Sequence, residues 1–333
     1  MIQDIYNIIM CLIIFCIVLF IYLHVQFHNK TSDDLEIYEI EDTSKDNLEE
    51  LCDLRQPIII NNNENIDIII KTTNKNTLYN SYPSFDIKIK DVQENDESLL
   101  SLHLADNLFQ KDIDAKYYSN NNLEFITDTG TIKSMSYNDH FLRPSLVSNC
   151  YYDILLGSSK TTTPFKYELN YRNYFIVTQG EIHVKLSPPK YAKYLHQISD
   201  YENFDFFSPV NPWSIQNKYI NDFDKVKCLD IVIKPGKILF IPAYWWYSFK
   251  FIDANSSISC FKYRTYMNNI AILPKIFLHT LQLQNIKHTL VENYIDGMTA
   301  DNMTTDNITT DNITTDNMTT DNMTTDNNES TNN

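Results

Sequence analysis

The chain has 333 residues and a formal net charge of −16, with no basic run, which argues against binding nucleic acid through its phosphates. Its 43% hydrophobic content leaves ample material for a buried core. The six cysteines form no CxxC pair, so neither a zinc cluster nor a disulfide framework is expected.

Residues 5–27 carry no Asp, Glu, Lys or Arg, and 8–25 is apolar over roughly the ~20 residues that cross a bilayer. A cleavable signal peptide wants a basic start and a small-residue cleavage site. Residues 1–7 hold no Lys or Arg, and no alanine precedes Ala105. A retained single-pass membrane anchor over 1–30 is therefore predicted, against the rival readings of a signal peptide or a buried core helix. Lys30, beyond the apolar run, favours a cytoplasmic body; which membrane is involved stays open. Residues 31–45 read as an acidic linker.

A folded domain is predicted over 46–295. Leu48, Leu51 and Leu54 have helical spacing, and 56–60 reads as a first strand. Residues 98–110 look helical, while 123–156 gives mixed signals. From Thr161 the strand signal is strong: 161–169, 173–179 ended by Gly180, 181–186 stopped by Pro188 and Pro189, 228–233 and 257–264. Residues 191–220 form an aromatic-rich excursion of loops and short helices. Tyr191, Tyr194, Tyr201, Phe204, Phe206, Phe207 and Trp213 there form either core or a binding groove. Pro235-Gly236 makes a turn, 238–241 a short buried strand, and Pro242 a break. After it Trp245, Tyr247 and Phe249 alternate with Trp246 and Ser248. Residues 274–293 read as a helix.

The tail, 296–333, repeats a five-residue Thr-Thr-Asp-Asn-Met/Ile unit with almost nothing to bury, and disorder is expected. It contains N-glycosylation sequons at Asn302, Asn307, Asn312, Asn317, Asn322 and Asn328. They would be acceptors if the tail were lumenal. Copying of one sequon by replication slippage is the other reading.

Three features in order resemble the JmjC, cupin-like proteins of the asparaginyl-hydroxylase type. They are Thr163-Pro-Phe-Lys-Tyr-Glu168 leading into Asn173-Tyr-Phe, Gly180 with Leu186-Ser-Pro-Pro189, and Pro235-Gly-Lys-Ile-Leu-Phe-Ile-Pro-Ala-Tyr-Trp-Trp-Tyr247. The resemblance implies a mainly β fold with flanking helices (α+β), a double-stranded β-helix or jelly-roll barrel, here preceded by one transmembrane helix. It also implies Fe(II) held by two histidines and a carboxylate, with 2-oxoglutarate as cosubstrate for hydroxylation or demethylation. Those ligand positions fall on Lys166, Glu168 and Tyr247. Of the three, Glu168 alone is an ordinary metal ligand. Deprotonating a lysine and a tyrosine would cost about 4–5 kcal/mol each at pH 7, whereas histidine costs almost nothing. No histidine has Asp or Glu two residues later. The position that grips 2-oxoglutarate in many members falls near Ile182, with His183 and Lys185 beside it.

The expectation is therefore a degenerate barrel with no cofactor and a binding or scaffold role, its Lys166 ammonium standing where the metal stood, paired with Glu168. The alternative is an Fe(II)/2-oxoglutarate hydroxylase or demethylase with an atypical site. The partners expected are the membrane and a protein, with no nucleic acid.

Overall fold

The structure is a computed structural model that describes residues 2–41, 43–61, 66–94 and 96–286. The tail, with the sequons at Asn302 to Asn328, lies outside the described residues, as does the end of the helix read over 274–293. Residues 273–286 are helical.

Ile2–Asn29 is one helix, long and apolar enough to cross a membrane; its length and composition also fit a signal sequence. Leu12 and Phe15 are each 63% exposed, so it is not the buried core helix of the rival reading. Its last turn is docked on the folded domain. Arg55, itself buried, donates from Nη2 to the Phe27 carbonyl at 3.5 Å and lies over the Phe27 and Tyr171 rings. The His28 Nε2 lies 3.3 Å from the Thr265 hydroxyl.

The strands in chain order are β1 (Tyr38–Glu41), β2 (Ile58–Asn61), β3 (Asp86–Asp91), β4 (Glu97–Ser101) and β5 (Tyr117–Ser119). Then come β6 (Val147–Gly157), β7 (Phe165–Tyr167), β8 (Arg172–Gln179), β9 (Ile182–Ser187) and β10 (Ile198–Asp200). The last are β11 (Asp205–Ser208), β12 (Leu229–Ile233), β13 (Ile238–Ile241), β14 (Trp246–Phe251) and β15 (Ser257–Thr265). They form a larger sheet in the order β1-β2-β13-β8-β15-β6-β5-β3-β4 and a smaller one in the order β10-β11-β7-β14-β9-β12. Face to face, the two make a jelly roll with helices on the outer side of the larger sheet.

Period-two alternation builds both sides. In β13, Leu239 and Ile241 enter the barrel while Ile238 and Phe240 meet the helices. In β8, Phe175 and Val177 point in while Tyr174 and Ile176 point out; in β15, Ile258 and Cys260 point in while Phe261 and Tyr263 point out. From the smaller sheet, Tyr247, Phe249 and Phe251 of β14 fill the barrel, while Trp246 packs outward with Phe165, Tyr167 and Phe206. Gly180 ends β8 at φ +68°, where a Cβ would lie 2.4 Å from the Ser256 hydroxyl oxygen.

Several expectations are corrected. The span read as a linker, 31–45, is built into the fold. Asp33 accepts from the Lys190 amide at 3.1 Å, Asp34 accepts from the Gln56 amide at 2.7 Å, and β1 pairs in parallel with β2. Charged residues serve at such an edge because one strand face is solvated. Leu54 lies beyond the helix Lys45–Cys52 and is exposed. The stretch read as helix over 98–110 divides: β4 runs to Ser101, and the helix is Leu102–Lys111. Leu99 pairs with Lys88 because β3 takes an edge partner, and that pairing overrides the helical spacing. Residues 191–220 include the hairpin of β10 and β11. Phe206 of that hairpin is core, and Tyr191, Tyr194, Tyr201 and Phe204 pack against it.

Candidate functional site

The candidate site lies where β7, β14 and β15 face one another. Lys166 and Glu168 flank Tyr167. Since Phe165 and Tyr167 pack outward, alternation turns Lys166 and Glu168 into the barrel. β14 runs between β7 and β9, setting Tyr247 directly across from Lys166. The turn before β14 is tight. Tyr244 has φ +67°, and its amide donates to the Glu168 carbonyl at 2.9 Å, fixing the end of β7 to the start of β14. The larger sheet contributes Lys262, in phase with the inward Ile258 and Cys260.

All of these groups converge on one carboxylate. Glu168 Oε1 accepts from Lys262 Nζ at 2.7 Å and from the Tyr247 hydroxyl at 2.9 Å, and Lys166 Nζ stands at 3.6 Å. Lys166 also reaches Asp205 of β11 at 3.5 Å. The second oxygen, Oε2, accepts from the Asn170 amide at 3.3 Å, and Asn170 in turn accepts from Arg264 Nε at 2.7 Å. Two ammoniums against two carboxylates make the cluster close to neutral, as a mostly buried ionic group requires.

The electrostatics follow from this arrangement. Burial would raise the Glu168 carboxyl, but Lys262 and Lys166 outweigh it and hold it at about 2. Burial opposes the charge of Lys166, yet Asp205 and Glu168 raise it above the usual lysine range. The Tyr247 phenol is pushed well up, by burial first and then by the Glu168 charge. A cavity of about 30 Å³ adjoins the cluster, lined by Tyr118, Asp153, Lys166, Asp205, Tyr247 and Lys262 among others. It has room for water but not for a dicarboxylate beside the existing side chains.

These residues do not fit Fe(II). Near neutral pH Lys166 is an ammonium with no lone pair and Tyr247 an un-ionised phenol, a poor ligand, and both are shifted further from losing their proton. The single ordinary ligand, Glu168, already faces two ammoniums. Among the described residues no group of three His, Cys, Asp or Glu side chains is placed to hold a metal.

The residues read near the cosubstrate position are not brought here. Ile182 is a fully buried barrel residue. His183 points the other way along β9, contacting Asp230 and the edge of Trp213. Lys185 follows it, donating to the Pro212 carbonyl at 3.0 Å and lying over the Trp213 ring. Alternation along β9 forces this outcome. Lys262 and Asp205 were missed in the sequence. The one available signal for Lys262 was its place two residues beyond Cys260, in the inward phase of its strand.

A barrel of two facing sheets, with Lys166, Glu168 and Tyr247 gathered inside it, defines a cupin-type domain of JmjC character. The chain belongs to the cupin-like domain family, whose match covers residues 41–261. Among curated proteins it is similar to HSPB1-associated protein 1 of Homo sapiens, 28% identical over 99 residues, or 29% of this chain and 20% of that protein. The Bos taurus counterpart is likewise 28% identical, with the same coverage. That of Rattus norvegicus is 27% identical, over 29% of this chain and 21% of its own. The chain thus spans about a fifth of the length of the curated relatives it matches.

Proposed function

We propose that this chain is a membrane-tethered, non-catalytic cupin-like domain, held by the Ile2–Asn29 helix and used to bind or position a protein partner. The observation that carries this reading is the saturation of Glu168 by Lys262, Tyr247 and Lys166. An internal ammonium stands in for the metal cation, so the barrel keeps its shape without one. Removing a partner from such a cluster is costly, whereas the intact cluster is tolerated. The relatives' name, which speaks of association with HSPB1, supports a protein-binding role of the same general kind for this domain.

The test is metal analysis of the purified protein at neutral pH, with an assay of succinate release on adding Fe(II) and 2-oxoglutarate. The expected result is neither bound iron nor cofactor-dependent succinate. Stoichiometric iron, or succinate release needing both additions, would overturn the proposal. Retention in the membrane pellet under alkaline carbonate tests the tether separately.

A further inference from the structure

A second, larger cavity lies outside the barrel, on the outer side of β7 and β14, at the foot of the N-terminal helix. It has a volume of about 310 Å³. Tyr167, Tyr244 and Trp246 give it aromatic walls, and Lys275 projects into it. Asn29 and Thr31, at and just beyond the end of the helix, form its rim.

Lys275 makes no ion pair among the described residues. Its ammonium lies 5.5 Å from the Tyr167 and Tyr244 ring centres and 4.9 Å from that of Phe206, with the Tyr167 hydroxyl at 3.5 Å. Burial alone lowers its pKa, with no carboxylate opposing it. The chain carries a net charge of −16, yet no carboxylate among the described residues is placed against this half-buried lysine. Aromatic rings supply part of the missing counter-charge, but weakly compared with an anion. The other polar groups around the space are hydroxyls and side-chain amides, with no carboxylate among them. Thr31 has a hydroxyl on the rim. The Asn29 side-chain oxygen accepts from the Tyr244 hydroxyl at 3.5 Å, which holds the Asn29 amide group at this edge of the cavity. Gln197 donates its amide to the Tyr167 hydroxyl at 2.8 Å and so fixes that ring as a wall. One cation without a carboxylate, with the Thr31 hydroxyl and the Asn29 amide group nearby and aromatic walls around it, suits an oxyanion attached to an apolar body.

We propose that this cavity binds a phosphate ester, its phosphoryl oxygens on Lys275, Thr31 and Asn29 and its organic part against Tyr244 and Trp246. The source is either a phospholipid headgroup or a free phosphate ester. The lipid source rests on the reading that Ile2–Asn29 is embedded in a bilayer, since that places the rim at the headgroup level; the free source does not.

The experiment uses the full chain in nanodiscs, either of phosphatidylcholine alone or with phosphatidylglycerol mixed in. Native mass spectrometry reads the lipid retained, and calorimetry reads titration with sn-glycerol 3-phosphate. Selective retention of phosphatidylglycerol identifies the headgroup. Saturable binding of glycerol 3-phosphate in phosphatidylcholine discs identifies the free ester. Either signal should fall at least tenfold in Lys275→Met and survive in Lys275→Arg, with both variants keeping the wild-type circular dichroism spectrum. Absence of both signals, or equal binding by Lys275→Met, overturns the proposal. Carbonate extraction of the wild type reports on the membrane reading independently of either result.

Discussion

Glu168→Gln removes one charge from the centre of the barrel cluster and little volume. The carboxyl is held at about 2 against an ordinary value of 4.5, a difference worth about 3 kcal/mol. Loss of one member of a buried ion pair costs about 3–5 kcal/mol. The lower end applies here, because Glu168 is 16% exposed and Lys166 keeps Asp205. At about 2–4 °C per kcal/mol for a domain of this size, the melting temperature should fall by about 6–12 °C. Thermal unfolding followed by circular dichroism at pH 7 measures this. The carboxyl of Glu168 is depressed in the folded state, so its contribution is complete above about pH 4.5 and disappears as pH falls toward about 2. Wild type and variant should therefore converge over that window. Glu168→Gln melting within about 1 °C of wild type at pH 7 would mean that the carboxylate is solvated and that the cluster does not hold the barrel.

Other outcomes follow from the same geometry. Tyr247→Phe removes one hydrogen bond to a charged acceptor and should cost about 1.5–3 kcal/mol, read by the same melts. Lys166→His with Glu168→Asp and Tyr247→His should restore cobalt binding only when Lys262→Met is added, because Lys262 otherwise keeps the carboxylate; visible absorption of Co(II) distinguishes the two constructions. Gly180→Ala places a Cβ against Ser256 at φ +68° and should cost about 1–2 kcal/mol from the backbone alone, with the clash adding to it; melts again decide. Arg55→Gln should free the end of the N-terminal helix, seen as faster tryptic cleavage after Lys30, with the barrel spectrum unchanged.

The barrel was legible because its strands obey a period of two and its turns use Pro235-Gly236 and Gly180. Trp245, Tyr247 and Phe249 share a face in the structure as their spacing dictates. The gathering of Lys166, Glu168 and Tyr247 was legible through the motif around them. What escaped was everything set by the opposite sheet. Lys262 reaches Glu168 across 94 positions of sequence, and no local pattern encodes that distance. Leu99 misled because helical spacing and an edge strand both place leucines on one side over so short a run. β1 escaped because four residues with two glutamates do not look like a strand until β2 supplies the ladder.

The docking of the N-terminal helix has a mechanical meaning. Arg55 and His28 clamp its last turn, and Asp33, Asp34 and β1 leave no slack in the eight residues that follow it, 30–37. The end of the helix and the barrel are therefore coupled as one lever. In a bilayer a helix tilts by about 20° on average and tilts more where the hydrocarbon is thinner. Through a rigid arm about 30 Å long, the width of a small domain, such a tilt moves the far side of the barrel by about 10 Å. Where the helix spans a bilayer, as proposed above, membrane thickness would then be converted into the height of the barrel above the surface.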